Sequence, residues 1–512
     1  MNKILRSSAS WLIIGSALLL MATGCSRDHA QPDRKGIDMS APDAQSAAVV
    51  YPAPEGEPLS KDFTLTVNGR AVPVYSCRVS AMPFNQVWPG YQRPLDQTEL
   101  ASFAYWDMSG PVQVEVVSSA PVQSVAVRPS ARAIRPTVEG NRIAFTLPAP
   151  GPLTVEVNGW HHALHLFAGP PASPPPDPHD PNVLYFGPGV HKPGKVLLHD
   201  NQTVYLAPGS VVYGAFDATS VSNVRIFGRG IIDASNFARD EGGGCIRVTD
   251  SRNVIVDGLT LRDPDVWCLT VLGSDKVDLS NLRLVGLWRY NSDGIDVCNS
   301  RDVTIRDSFI RSFDDSIVVK GIINRRDLPV RNVLVERCVI WNDWGRALEI
   351  GAETCAPEIT NLVFRDCDII RTVNVAMDVQ HGDRALVADL LFENIRVEVD
   401  DLNFPPALQQ RPGEKYLEQP GGYSPALLVV EIVGTMWSKD TQRGTARNIT
   451  FRNIDVTGKP VMSSELQGFD AQHVVRNVTI ENLRVNGRIM RTPQEASISV
   501  GSFVEGVRVL AP

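Results

Sequence analysis

Three things are missing from this sequence. It has no block rich in Lys and Arg, no Cys-x-x-Cys pair, and no apolar run long enough to span a bilayer. With 49 Lys+Arg against 57 Asp+Glu, the first absence argues against a nucleic-acid partner. The second, with nine scattered His, leaves no basis for a metal site. The third excludes a polytopic membrane protein. What is present is globular: 512 residues, 43% apolar and 21% charged, with 39 Gly and 37 Pro. That is neither a disordered nor a collagen-like composition, and the length admits two to four domains.

The N-terminus reads as a processing signal. Lys3 and Arg6 precede the apolar stretch Trp11 to Ala22 and then Thr23-Gly24-Cys25. This resembles a bacterial lipoprotein signal, which implies removal of residues 1–24 and lipidation of Cys25. The expectation is an exported lipoprotein, in the periplasm or anchored to the outer membrane, that touches a membrane only through this anchor. Of the eight Cys, seven then remain, an odd number that cannot all pair within one chain.

Residues 25–60 are rich in Ala, Pro, Asp, Ser and Glu and read as a linker. Residues 61–168 contain short alternating runs such as Phe63-Thr64-Leu65-Thr66-Val67 and Leu153-Thr154-Val155-Glu156-Val157, with Asn68-Gly69 and Asn158-Gly159 turns. That pattern predicts a small antiparallel β-sandwich. A Pro-rich segment over 169–182 cannot join a central strand and reads as a stiff hinge.

Residues 183–512 contain a repeat. Units start at Asn253, Lys276, Asp302, Asn332, Asn361, Asp389, Asn448 and Asn477, separated by 23, 26, 30, 29, 28, 59 and 29 residues. After each start the first and third residues are apolar, a strand period of two. Five residues in come Gly258, Asn281, Asp307, Arg337, Asp366, Asn394, Asn453 and Asn482, mostly types that tolerate a left-handed turn. Strands joined by tight bends and stacked turn on turn make a parallel β-helix, so the chain is expected to be all-β. Cys338 and Cys367 fall at one inward position of adjacent units and read as stacked core residues. The extra length between Asp400 and Pro425 reads as a loop that walls a cleft.

A second alignment superimposes Cys268-Leu269-Thr270-Val271, Gly294-Ile295-Asp296-Val297, Ser316-Ile317-Val318-Val319, Ala347-Leu348-Glu349-Ile350 and Ala376-Met377-Asp378-Val379. The apolar members point inward, so Thr270, Asp296, Val318, Glu349 and Asp378 point outward. Just before these strands lies a neighbouring column of Trp267, Asp293, Asp315, Arg346 and Val375. Stacked turns lie about 4.8 Å apart, which brings Asp293, Asp296, Asp314 and Asp315 together. Four carboxylates so close repel one another and push some pKa values upward, as acid/base catalysis needs.

These residues resemble glycoside hydrolase family 28, the polygalacturonases and their relatives. The motif Asn291-Ser292-Asp293-Gly294 stands where that family has Asn-Thr-Asp, and the paired aspartates Asp314-Asp315 follow. The sandwich, with Val204 to Ser210 and Tyr213 to Phe216, also looks like the related dextranase-type family. The resemblance implies a right-handed helix and hydrolysis of O-glycosidic bonds with inversion. Asp314 would protonate the leaving oxygen, while Asp293 and Asp315 hold and deprotonate water. Asn291, Asp296, Lys320, Arg346, Glu349, Asp378 and Trp267 would bind substrate, with no cofactor and a monomeric enzyme.

Two positions depart from the family. Gly345-Arg346-Ala347 stands where polygalacturonases have Gly-His-Gly, and Asp378-Val379-Gln380 where they have Arg-Ile-Lys. The second change removes the pair that grips a galacturonate carboxylate, so the substrate is read as a pectic or a neutral glycan, polysaccharide or oligosaccharide. Arg371, His381 and Arg384 are other sources of uronate contacts. Trp288, Tyr290, Phe313, Trp341 and Trp344, with Trp267, are candidates to line the cleft by stacking on sugar rings. The rival readings are a β-helix polysaccharide lyase and a non-catalytic glycan-binding β-helix.

Overall fold

Left-handed corner residues set the path of the chain. The computed structural model describes residues 47–81, 95–400, 424–459 and 461–512, with the backbone of 84–85 and 407–408. All eight fifth-position residues, from Gly258 to Asn482, take φ between 51° and 79°. The eight unit starts do the same, with φ between 54° and 59°, which the pattern of residue types did not predict. Each start leaves the ladder without shifting its register: Arg252 pairs with Asp275 and Val254 with Val277, so Asn253 and Lys276 lie opposite each other outside the pairing. Such side chains then bond up the stack, Asn361 to Asn332 and Asn332 to Asp302, each at 2.7 Å.

Every turn lays down three strands. Arg301–Arg306, Phe309–Ser312 and Ile317–Gly321 stack in parallel on Asp275–Ser280, Arg283–Val285 and Ile295–Cys298. This is the parallel β-helix, and its three columns enclose one apolar core from Leu198 to Ile498. Register in the third column matches the sequence alignment: Leu269 pairs with Ile295, Ile295 with Ile317, Ile317 with Leu348 and Leu348 with Met377. All are fully buried, each contributing about 1.5–3 kcal/mol of hydrophobic stabilisation. Phe364, Phe392 and Phe451 stack inside with centroids 4.7 and 4.9 Å apart. The seven described cysteines are buried and free, Cys338 and Cys367 among them.

The N-terminal part is a two-sheet β-sandwich. It is not wholly antiparallel, because Thr98–Met108 pairs in parallel with Leu164–Gly169. Both strands are apolar on two faces for a physical reason. Ala104, Trp106, Leu164 and Leu166 fill the sandwich core, while Phe103, Tyr105 and Phe167 face the β-helix. There they meet Val285, Phe309, Val339, Trp341 and Ile370 of the second column. Buried ion pairs cross the same contact, Arg229 to Asp107 at 2.8 Å and Arg262 to Glu57 at 2.6 Å.

The expected linker over 25–60 therefore ends earlier than its composition suggested. Ala48–Val50 is a strand paired with Thr98–Met108, and Glu57 is buried under its ion pair. The Pro-rich segment over 169–182 likewise joins two parts already locked by this interface. Residues 1–24, Cys25 and the first part of the linker lie outside the described residues, as does most of the Asp400 to Pro425 insertion. Of that insertion, Ala407–Leu408 pairs in parallel with Phe84–Asn85 of the sandwich.

Candidate active site

The segments that enter the third column carry the charged residues. The ladder already runs through them: Cys268 N–H donates to Asp293 O at 2.9 Å, Gly294 N–H to Asp315 O at 2.8 Å, and Ser316 N–H to Arg346 O at 2.8 Å. Trp267, Asp293, Asp315 and Arg346 are thus stacked as the alignment predicted. Gly345 permits the approach, since a Cβ there would lie 2.5 Å from both the Asp314 carbonyl carbon and the Asp315 nitrogen. No side chain fits at that spacing.

Asp314 is held by its backbone. Its carbonyl oxygen accepts from Ser312 Oγ and Asn342 Nδ2, both at 2.7 Å, and its carboxylate accepts from the Asp315 N–H at 3.1 Å. Asn291 Nδ2 stands 3.5 Å from Asp314 Oδ2. Arg239 fixes Asn291 in turn, donating to its Oδ1 at 2.7 Å and to the Tyr290 carbonyl at 2.6 Å. The loop carrying Arg239 is anchored where Asp265 accepts the N–H groups of Gly242, Gly243 and Gly244 at 3.0, 3.2 and 2.7 Å. None of Ser312, Asn342, Arg239 or Asp265 stands out in the sequence. Ser312 and Asn342 do pair across adjacent strands.

A buried lysine and a half-buried arginine divide the carboxylates. Lys320 Nζ lies 2.9 Å from Asp293 Oδ2, 2.9 Å from Asp296 Oδ1 and 3.9 Å from Asp315 Oδ2, with the Trp267 ring at 4.2 Å. Arg346 Nε lies 3.2 Å from Asp378 Oδ2, its NH1 lies 4.0 Å from Asp315 Oδ1, and its backbone N–H donates to that oxygen at 3.1 Å. Among the described residues Asp314 forms no ion pair.

The electrostatics follow. Burial pushes Asp314 well above the usual carboxylate range and the Asp315 charge adds to it, against the pull of Lys320 and Arg346 from beyond ion-pair distance. Burial raises Asp293 too, but there Lys320 opposes it directly, through a 2.9 Å ion pair. Burial lifts Asp296 to about 6 against the pull of Lys320, and Asp378 to about 7 against that of Arg346. Glu349 is raised by burial and then by Asp315. Burial disfavours charge on Lys320, yet Asp293 and Asp296 more than reverse this and raise its pKa. Asp293 Oδ1, Asp296 Oδ2, Glu349 Oε2 and Asp378 Oδ1 are buried with no hydrogen-bond donor among the described residues.

Other candidate residues lie elsewhere. Trp341 packs under the sandwich, and Arg371 lies over Trp160 and Trp341 with Asp400 at 3.7 Å. His381 is buried against Thr354, and Arg384 pairs with Asp440. Trp288 Nε1 donates to Asp263 at 2.9 Å. Tyr290, Phe313 and Trp344 cluster beside Asn291 and Asp314, with Phe313 and Trp344 stacked at 5.2 Å. Asp366 occupies one of the left-handed turns, and Asp257 accepts from Ser280 and Asn281, both structural roles. A cavity of about 560 Å³ opens between sandwich and helix, lined by Arg132, Arg283, Arg337 and Arg396, and none of the site aspartates borders it.

Comparison with known proteins agrees with the motif. Residues 214–410 match the family model described as Glycosyl hydrolases family 28. A dextranase of Arthrobacter sp. (strain CB-8) is 22% identical over 200 residues, covering 33% of this chain and 30% of the relative. An exopolygalacturonase of Arabidopsis thaliana is 23% identical over 267 residues, 47% of this chain and 60% of the relative. The chain thus spans less than two thirds of either relative. Dex49A from Penicillium minioluteum shares the fold over 90% of this chain and 96% of its own, sandwich included, with a TM-score of 0.58 at 14% identity. The resemblance to glycoside hydrolase family 28 read from the aspartate motif is therefore borne out over residues 214–410, the segment that holds Asp293, Asp314, Asp315, Lys320 and Arg346.

Proposed function

We propose that this chain is a glycoside hydrolase that cleaves O-glycosidic bonds of a pectic-type glycan with inversion, tethered through a lipidated Cys25 as an exported monomer. One observation carries the catalytic assignment. Three aspartates meet on adjacent turns, and of the three only Asp314 forms no ion pair among the described residues, while burial and Asp315 push its pKa up against the more distant pull of Lys320 and Arg346. Asp314 is then the acid that enters the reaction protonated. Asp293 and Asp315 hold the attacking water. Its oxygen bonds to the anomeric carbon as the glycosidic C–O bond breaks, Asp314 gives its proton to the leaving oxygen, and the pair takes a proton from the water.

The substrate class rests on the match to Glycosyl hydrolases family 28 and the likeness to an exopolygalacturonase. Within that class Arg346 is already paired with Asp378, so a neutral sugar at the cleaved bond of a pectic glycan fits this site better than a uronate carboxylate.

The test incubates the protein without residues 1–25 with galacturonan, rhamnogalacturonan and neutral glucans, following reducing ends and ultraviolet absorbance together. New reducing ends without unsaturated product are expected. Absorbance from unsaturated uronate would replace the reading with a lyase, and silence on all polymers with a binding protein. Asp314→Asn is expected to fold normally and lose turnover by on the order of 10²–10⁴-fold.

A further inference from the structure

We infer that Lys320 is a positioning residue that keeps Asp293 ionised while Asp314 stays protonated, so that one buried ammonium assigns base and acid among three adjacent aspartates. The inference rests on the hydrolase reading above. Lys320 was expected to grip substrate, and its geometry leaves it no donor for that purpose.

An ammonium has three N–H bonds. Two point to Asp293 Oδ2 and Asp296 Oδ1 at 2.9 Å, and the Trp267 ring covers a further side at 4.2 Å. The side chain is buried, with relative exposure of 5%. Lys320 pairs in register with Cys298 on the preceding turn, where Asp296 pairs with Val318. It therefore leaves the same outward face as Asp296 and reaches back to Asp293.

The charged groups facing Lys320 are Asp293 and Asp296 from the preceding turn, Asp315 from its own, and Glu353 from the following strand. The Cys298 thiol also lies near it. Asp314 feels Lys320 only from beyond ion-pair distance, its carboxylate bonded instead to the Asp315 N–H and facing Asn291.

Chemistry explains why such a cation is needed. Three carboxylates in contact titrate as one coupled group, and without a fixed asymmetry their protons distribute among them. Inverting hydrolysis requires the opposite, one carboxyl protonated and the water-holding carboxylates charged. A lysine 2.9 Å from Asp293 supplies that asymmetry, and its stem keeps the charge in place without involving substrate.

The experiment compares wild type, Lys320→Met, Lys320→Arg and the double variant Lys320→Met/Asp296→Asn, which removes the carboxylate left unpaired if the single variant folds poorly. Two readouts are taken: kcat and KM against pH on whichever glycan wild type cleaves, and the thermal midpoint against pH. Lys320→Met and the double variant should lose kcat by on the order of 10²-fold with KM nearly unchanged. The acid limb of their kcat/KM profile should move to higher pH, and Lys320→Arg should return it towards wild type. A rise in KM with an unmoved profile would make Lys320 a substrate contact and overturn the inference.

The thermal readout stands apart from activity. Without Lys320 the folded pKa values of Asp293 and Asp296 rise further above their unfolded values. The single variant then loses stability as pH rises through those values, and its midpoint should fall further below wild type at pH 8 than at pH 5. A gap independent of pH would overturn the inference even if no glycan is cleaved, while failure of wild type on every glycan would remove only the hydrolase reading.

Discussion

Gly345 sits where the backbone of one turn comes closest to the Asp314–Asp315 peptide. A methyl group there would meet two backbone atoms at 2.5 Å, and neither can move alone because Asp314 O is held by Ser312 and Asn342. Gly345→Ala should therefore displace the acid rather than unfold the protein. A shift near 1 Å costs on the order of 10²-fold in rate, so kcat should fall by that order while the circular dichroism spectrum stays that of wild type. Asp378 offers a second test at this scale. Its carboxyl, normally near 3.8, is lifted to about 7 by burial against the pull of Arg346. A folded pKa above the unfolded one stabilises the fold below about pH 4, and the benefit is lost as pH rises through about 7. Asp378→Asn should flatten the decline in thermal midpoint between pH 4.5 and 7.5, whose slope from one group is at most about 1.4 kcal/mol per pH unit. The aspartates themselves were legible because spacing and the strand period fixed them to adjacent turns. The partners of Lys320 were not, because a four-carbon stem reaches across turns in ways that register does not specify. Asn342 and Ser312 were hidden for a different reason: they hold a backbone carbonyl, which leaves no mark on residue type.

At the scale of the strand and its loops, the repeat was readable and its corners only half so. The residue five positions in is mostly Asn, Asp or Gly and announces its left-handed turn, and all eight bear that out. The unit starts include Lys276 among Asn and Asp, and their left-handed conformation became clear only from the backbone. Asp296, Glu349 and Asp378 point outward as expected and are nonetheless buried, because alternation tells which side a residue leaves but not what covers it. The inward column gives the firmest prediction. Ile317 is fully buried, with Ile295 and Leu348 as its register partners, so Ile317→Ala should cost about 2–5 kcal/mol, read from chemical denaturation. The loop carrying Arg239 is tuned separately by Asp265, whose carboxylate collects three glycine N–H groups. Asp265→Ala should free Arg239 from Asn291 and lower activity with little change in the global midpoint, since the strands below do not depend on that loop.

At the scale of the molecule, the sandwich is part of the protein's body and not a module on a hinge. A face built from Tyr75, Phe103, Tyr105 and Phe167 meets Phe309, Val339, Trp341 and Ile370, and buried pairs such as Arg229–Asp107 close its edge. Thr98–Met108 is buried without a break from Ala101 to Met108, on both faces, which a free sandwich strand would not need. Removing Arg229 would strand Asp107 in a dry interface, at a cost of about 3–5 kcal/mol. Calorimetry of the protein lacking residues 1–25 should therefore give one transition, lowered by Arg229→Met. The stronger test removes the sandwich altogether. A chain of residues 183–512 leaves Phe309, Val339, Trp341 and Ile370 uncovered on one side of the second column, a contiguous apolar surface of the kind that drives association. It should aggregate or bind a hydrophobic dye while the full chain does neither. A soluble, monomeric and active 183–512 fragment would mean that the interface serves geometry alone, and that the β-helix carries its stability without the sandwich.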